Sequence, residues 1–237
     1  AIEGFEQKKL PDDHFDVVVG NVPFGDFKVN DSRYNAQKFL IHDYFFAKAL
    51  DKVRSGGVVA FITSKGTMDK TSPEVRKYIA QRAELLGAIR LPNNTFRANA
   101  GTEVTSDILF LQKRDRIADV EPDWVQLDTD ENGITLNRCF VQHPEMILGE
   151  MKMESTRYGY DTTCAPLPGA DLKEQLAEAV RHISVPDKLP ARGNADVFQW
   201  NTSQDTQDTQ EEIAEYSYLV RDGKLFFRAS GQEVPSP

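Results

Sequence analysis

Phe15-Asp16-Val17-Val18-Val19-Gly20-Asn21-Val22-Pro23-Phe24-Gly25 is the stretch on which the reading of this chain turns. Its first five residues form a short apolar run closing on Gly20, the pattern of a strand buried on both faces of a parallel sheet. Asn21-Val22-Pro23-Phe24 then falls in the loop leaving the carboxyl end of that strand, where open α/β sheets bind ligands. An exocyclic amino group is a poor nucleophile because its lone pair is delocalised into the ring. A site that methylates it must draw that pair out with hydrogen-bond acceptors. The side-chain oxygen of Asn21 and the carbonyl of Val22 can each accept one N–H, and Pro23 holds Val22 extended so that its carbonyl points outward. Phe24 offers a π-face, and stacking returns about 1 to 3 kcal/mol of the few kcal/mol that extruding a base costs. In a plain turn the same residues would have other duties: Asn21 capping, Pro23 stiffening and Phe24 packing into the core. The order of elements around the tetrapeptide favours the ligand-binding alternative. No Pro-Cys pair follows the strand, which counts against cytosine-C5 chemistry and its thiolate nucleophile.

Outward from this stretch, residues 37–54 place Phe39, Phe46, Leu50 and Val53 on one helical face, with Gly56-Gly57 as the expected stop. Residues 58–63 form a second apolar strand. Ser72-Pro73 opens another helix, in which Val75, Tyr78, Ile79 and Arg82 recur at helical spacing. Residues 85–91 and 106–111 add two strands, so the element order predicts an α/β fold with a parallel sheet and a closing hairpin-like pair. Beyond Arg116 the pattern thins. Residues 124–127 and 133–136 read as short strands, and residues 171–183 as a helix with Asp171 and Glu174 spaced as a capping box and Leu172, Leu176, Val180 and Ile183 on one face. Pro186, Pro190, Gly193 and the repetitive Gln204-Asp205-Thr206-Gln207-Asp208-Thr209-Gln210 mark a linker or disordered tract. Residues 216–229 read as a hairpin turning at Arg221-Asp222-Gly223. The expected division is a catalytic half-domain at 1–115, an α+β extension at 116–183, a linker at 184–212, and a hairpin at 213–237 leading to a further domain.

The net charge of −9 over 237 residues argues against a surface coated for nucleic-acid binding, but the charge is uneven. Residues 1–115 carry 17 Lys+Arg against 15 Asp+Glu, whereas residues 116–237 carry 11 against 22. Only the first part could face a phosphate backbone. Cys139 and Cys164 lie far apart and outside any metal-ligand spacing, so both read as free thiols and no metal is expected. No apolar run approaches the roughly 20 residues of a membrane helix and no signal segment opens the chain, so a soluble cytoplasmic protein with no membrane partner is expected. The chain opens at Ala1 rather than a methionine, which points to a piece of something longer.

These residues resemble the N6-adenine DNA methylases, particularly the modification subunits of type I restriction systems and the methylase part of very large helicase-methylase fusions of bacterial mobile elements. Phe15 through Gly25 resembles the family's fourth motif with its strand; Ile41 through Lys48 and Arg54 through Met68 are similar to the helix, strand and loop that follow. Ala88 through Phe96 and Gly101 through Lys113 are similar to the last two strands. The resemblance implies a DNA adenine-N6 methyltransferase using S-adenosylmethionine, built on the C-terminal half of a Rossmann-like class I methyltransferase sheet with a mixed α+β, partly disordered extension. It assigns catalysis to Asn21, Val22, Pro23 and Phe24, substrate contacts to Gly25, Lys65 and Phe96, and the cofactor's adenine to Phe5. The implied partners are DNA, an upstream cofactor-binding segment and a helicase domain of the parent chain. Two departures stand out: Val22 replaces the family's first proline, and the Phe-x-Gly-x-Gly motif that holds the cofactor is missing. That motif is expected upstream, with the strands that complete the sheet. His143-Pro144-Glu145-Met146-Ile147-Leu148-Gly149 is similar to a stretch that follows the methylase in the fusions and has no assigned role.

Two other functions fit the same residues. Protein-glutamine and RNA amino-group methylases use closely similar tetrapeptides. A non-catalytic interaction module is the third, because without upstream strands Val17 to Val19 would form an exposed apolar sheet edge that invites self-association and leaves the piece inactive.

Overall fold

The computed structural model describes residues 4–156, 159–183, 217–221, 224–229 and 232–235, with side chains described for 4–98, 101–155 and 159–183. β1 (Phe15–Asn21) is followed by a single 3-10 turn at Asn35–Gln37, α1 (Ile41–Lys52) and β2 (Val53–Ser64). Then come α2 (Gly66–Asp69), α3 (Glu74–Arg82), β3 (Ala83–Leu91), α4 (Arg97–Ala100) and β4 (Ser106–Lys113). These strands form a four-stranded sheet in the order β1-β2-β4-β3. β1 and β2 are parallel, while β4 runs antiparallel to both β2 and β3. Asn21, Ser64 and Leu91 therefore end at the same edge of the sheet, where Ser106 begins β4. The α/β class and mixed sheet agree with the half-sheet expected of a class I methyltransferase.

The core lies on the face that α1 and α3 cover: Phe46 packs edge-on to Phe61 at 5.2 Å, and Ile79, Val59, Leu109 and Leu111 are buried with them. The next segment adds a 3-10 turn (Asp123–Val125), β5 (Leu127–Thr129), β6 (Thr135–Asn137), α5 (Arg138–Gln142) and a second 3-10 turn (Pro144–Met146). Its Ile134, Leu136, Phe140, Met146 and Leu148 enter the same buried cluster as the sheet. Leu148 N–H donates to the Arg90 carbonyl at 2.9 Å, so the stretch singled out at His143 lies along the outer edge of β3. β7 (Gly149–Thr156) and β8 (Gly159–Pro166) form an antiparallel hairpin, and α6 (Leu172–Arg181) starts at Asp171, whose carboxylate accepts from Lys173 N at 2.7 Å. Separately, within the unit 192–237, β9 (Ser217–Arg221), β10 (Lys224–Ala229) and β11 (Gln232–Pro235) make an antiparallel sheet with β10 in the middle. The linker expectation at 184–212 and the turn at Asp222-Gly223 lie outside the described residues.

Several expectations need correction. β1 is not buried on both faces: Val18 packs inward, while Val17 and Val19 on the opposite face stand 55% and 71% exposed, and among the described residues β2 is its one strand neighbour. Gly56-Gly57 does not stop α1, because β2 starts directly at Val53 and the glycines lie inside it. The reason is close approach: a Cβ on Gly57 would sit 2.7 Å from the Asp16 carbonyl, where the β1–β2 register shifts, and Gly56 has φ +72°. Trp124 lies in a 3-10 turn set up by Pro122, and the strand follows later. On α6 and just past its end, Leu172, Leu176 and Ile183 pack against the core as expected, together with the buried Ala179, but Val180 is 51% exposed.

At the carboxyl edge of the sheet Arg90 is fully buried. It makes a two-pronged bond to Asp107 (2.8 and 2.9 Å), an ion pair to Asp69 at 2.8 Å, and lies 4.3 Å above the Phe140 ring. Burial alone would push the guanidinium pKa down, but the carboxylates of Asp107 and Asp69 overcome this and hold it up. Arg90→Met strands two carboxylates and should lower stability by about 3 to 5 kcal/mol, whereas Arg181→Ala at the exposed Glu178 pair should change it by less than about 1 kcal/mol. Urea unfolding followed by circular dichroism checks both values.

Candidate functional site

The backbone leaves the sheet just past β1. Val22 N–H still donates to the Ile62 carbonyl at 3.0 Å and its side chain is 3% exposed, so Val22 is the anchor from which the loop departs. Pro23 follows immediately and fixes the extended conformation of the residue before it. Asn21 is exposed, and Phe24 is half-buried with its ring against the core. From the other side comes the loop between β3 and β4, folded back on itself by a bond from Val104 N–H to the Asn93 carbonyl at 2.8 Å and by Gly101 at φ +64°. That fold brings Phe96, Thr102 and Val104 to face the tetrapeptide. Asn21, Val22, Pro23, Phe24, Phe96, Thr102 and Val104 together line a cleft of about 530 Å³. It is an apolar slot whose polar side chains are Asn21 and Thr102, suited to a flat ring carrying one hydrogen-bonding edge.

The other sequence-selected residues lie around this slot. Gly25 sits behind it, where a Cβ would approach the Phe27 ring to 2.7 Å; Phe27 is 57% exposed and can swing clear. Lys65 is outside the lining, held by β8 through Asp161 Oδ1 at 2.6 Å, Thr162 Oγ1 at 2.9 Å and the Thr162 carbonyl. Phe5 packs against α1, 4.9 Å from Phe45 and 6.4 Å from Tyr44, with Lys48 Nζ 5.1 Å from its ring. Thr102 and Val104 were not selected from sequence, although Gly101 marked the reversal that places them. Burial pushes the Cys139 thiol up to about 11 and the Cys164 thiol up to about 12, so neither supplies a thiolate at neutral pH. Among the described residues no three His, Cys, Asp or Glu side chains converge on a metal site, and no helix is long and apolar enough to cross a membrane.

Behind the loop, the first turn of α1 carries a buried polar pair. His42 Nε2 lies 3.4 Å from Asp43 Oδ1 and 3.4 Å from Lys70 Nζ, and Lys70 also bonds Asp43. Burial lowers the His42 pKa; Asp43 and Asp26 oppose the shift, while Lys70 adds to it. Because the folded value is depressed, the unfolded chain takes up the proton first. His42 therefore contributes fully above about pH 6.5, and its contribution falls as pH drops below that value. The urea midpoint should decline between about pH 6.5 and about pH 5, and His42→Gln should flatten that decline. The carboxylates with lowered pKa, Asp12, Asp31, Glu145 and Asp161, act below about pH 4.5, and His42→Gln separates the His42 contribution from that of Asp107, whose pKa burial raises.

Residues 2–96 match the Eco57I restriction-modification methylase family. Defense against restriction protein B of Escherichia phage P1 is 38% identical over 117 residues, which cover 47% of this chain and 5% of that protein. The chain thus spans about a twentieth of the length of that relative. Among solved structures, a Listeria monocytogenes protein described as a class I S-adenosylmethionine-dependent methyltransferase overlaps 48% of this chain and 36% of its own, at 27% identity and a TM-score of 0.36. The M protein of the type I restriction enzyme EcoKI overlaps 46% of this chain and 23% of its own, at 20% identity and a TM-score of 0.37. Residues 2–96 are thus similar to a restriction-modification methylase domain.

Proposed function

We propose that this segment holds the acceptor side of a DNA adenine-N6 methyltransferase, gripping the amino group of an adenine turned out of the duplex. The observation that carries this reading is the cleft itself, which the exposed Asn21 and its neighbour Val22 line together with Phe24 and Phe96. In this reading the adenine ring lies against the two phenyl faces. Its two N–H groups donate to the Asn21 side-chain oxygen and the Val22 carbonyl, which turns the nitrogen lone pair toward the incoming methyl group. The amino nitrogen would attack the methyl carbon in line as the methyl–sulfur bond breaks, leaving a neutral thioether and releasing one N–H proton to solvent, with no covalent bond to the protein. Replacing the family's first proline by Val22 leaves this step intact, since that position acts through its carbonyl. Gly25 turns the chain away from the base.

The methyl donor in this reading is S-adenosylmethionine, which supplies an electrophilic methyl on a sulfonium. The described residues do not fit it on their own: Phe5, the candidate for its adenine, is committed to Tyr44, Phe45 and Lys48, and the cleft beside Asn21 offers no charged group to the methionine part. Other parts of the parent protein, with a helicase domain as a further companion, complete the enzyme in this proposal, and the segment alone is inactive. Lys65 meets a DNA phosphate only if it exchanges Asp161 for it. A second reading, methylation of a protein glutamine or an RNA amino group, uses the same two acceptors. The exposed Val17 and Val19 support a third, in which the isolated chain self-associates through the β1 edge.

In the full-length parent, Asn21→Ala should lower tritiated methyl transfer to DNA by roughly two to three orders of magnitude, the scale for removing one polar group aimed at a reacting centre. Competition with ribosomal fractions separates the substrates. Equal incorporation by parent and variant contradicts the role of Asn21, and preferential loss of DNA labelling to ribosomal material favours the second reading.

A further inference from the structure

An exocyclic amino group is common to adenine, cytosine and guanine, so two acceptors for its N–H groups do not by themselves read the ring that carries it. That task needs a donor aimed at a ring nitrogen. Of the seven residues that line the cleft, Val22, Pro23, Phe24, Phe96 and Val104 have no polar side-chain atom, which leaves the Asn21 amide and the Thr102 hydroxyl. The other two hydroxyls of the β3–β4 loop are committed within the fold. Thr95 Oγ1 donates to the Pro92 carbonyl at 2.7 Å, and Thr105 Oγ1 accepts from Cys164 N–H at 2.9 Å. Thr102 is exposed, and among the described residues its hydroxyl has no hydrogen-bond partner. Its neighbours, however, are held: Gly101 N–H donates to the Arg97 carbonyl at 3.0 Å, and the Glu103 carboxylate pairs with the Arg97 guanidinium at 2.9 Å. Both residues flanking Thr102 are thus tied to the first residue of α4.

The amino group of adenine stands between two ring acceptors, N1 and N7. A side-chain amide that accepts one N–H through its oxygen can present its own NH2 group to N7, the two-pronged pairing by which asparagine reads adenine. With Asn21 on the N7 side, the Val22 carbonyl meets the N–H on the N1 side, and N1 still lacks a donor. A threonine hydroxyl supplies one, and an extruded base is read along its Watson–Crick edge, to which N1 belongs. The same pair of groups disfavours cytosine, whose N3 suits the hydroxyl but whose C–H at position 5 leaves the Asn21 NH2 group without an acceptor.

We propose that Thr102 is a substrate-reading residue of this cleft, donating its hydroxyl hydrogen to N1 of the bound base, so that the slot reads the ring as well as its amino group. The proposal rests on the adenine reading of the cleft. It is tested by titrating the full 237-residue chain with three nucleosides and following the Phe24 and Phe96 ring signals by nuclear magnetic resonance. Adenosine is the reference, 1-deazaadenosine carries C–H in place of N1, and 7-deazaadenosine keeps N1. Thr102→Val removes the hydroxyl with little change of shape and should weaken adenosine and 7-deazaadenosine by roughly three- to tenfold, the scale of one neutral hydrogen bond. It should leave 1-deazaadenosine unchanged, and Thr102→Ser should bind all three as the parent does. Equal weakening of all three by Thr102→Val marks a packing role and overturns the proposal, as does an unchanged affinity for adenosine. Purine riboside, which lacks the amino group, probes the reading beneath. If it binds much more weakly than adenosine while Thr102→Val has no effect, the cleft reading stands and the Thr102 role falls. If it binds as tightly as adenosine, or if no nucleoside moves the ring signals, both are contradicted.

Discussion

Arg90 is the constraint on which the carboxyl edge of this sheet depends. Its guanidinium has no exposure to water, and it draws together Asp107 from β4, Asp69 from α2 and the ring of Phe140 from α5. Burying such a charge costs several kcal/mol unless nearly every donor finds an acceptor, so the arrangement tolerates little movement. Asp69 in turn accepts from Asn137 N–H at 2.9 Å, and the Asn137 side chain donates to the carbonyls of Met68 and Trp124. The residues after Arg116 are thereby keyed to the sheet end from which the loops of the cleft spring. Two residues beyond Arg90 the β3–β4 loop begins, and it carries Phe96 back toward Phe24.

Much of this was legible in the sequence because it follows from local apolar patterning. The runs at Val17 to Val19 and at Val58 to Thr63 read as strands and lie in β1 and β2, and the tetrapeptide begins on the last residue of β1, Asn21, before the chain leaves the sheet. What escaped was set by tertiary partners. Gly56-Gly57 looks like a helix stop, but its role is to let β2 close on the Asp16 carbonyl. The β7–β8 hairpin alternates charged residues with Met151 and Met153 over a short span, and its stability comes from Asn93, Thr105 and Lys65, distant in sequence. Val180 looked inward by spacing, yet the face that α6 and the residues just past it pack on the core runs through Leu172, Leu176, Ala179 and Ile183 and leaves Val180 outside it. Within the site, Asn21, Val22, Pro23, Phe24 and Phe96 were legible as a set, whereas Thr102 and Val104 depend on how Gly101 folds the loop back.

The arrangement separates two tasks. Val22 donates its N–H to the Ile62 carbonyl and buries its side chain, so it joins the slot to the core and its backbone position is inherited from the sheet. Asn21 and the two phenyl rings are then free to meet a ligand. A slot of this kind selects a flat ring by shape and an amino edge by hydrogen bonding, and in the proposed reaction both are properties of adenine.

The most direct test of that claim is nuclear magnetic resonance of the chain titrated with adenosine and, in parallel, with N6,N6-dimethyladenosine, which keeps the ring but has no N–H to donate. The account predicts that adenosine shifts the Asn21 side-chain amide and the Phe24 and Phe96 ring signals, and that the dimethylated nucleoside leaves the Asn21 amide unmoved. Equal shifts of the Asn21 amide with both nucleosides, or shifts confined to residues outside the slot, would contradict it.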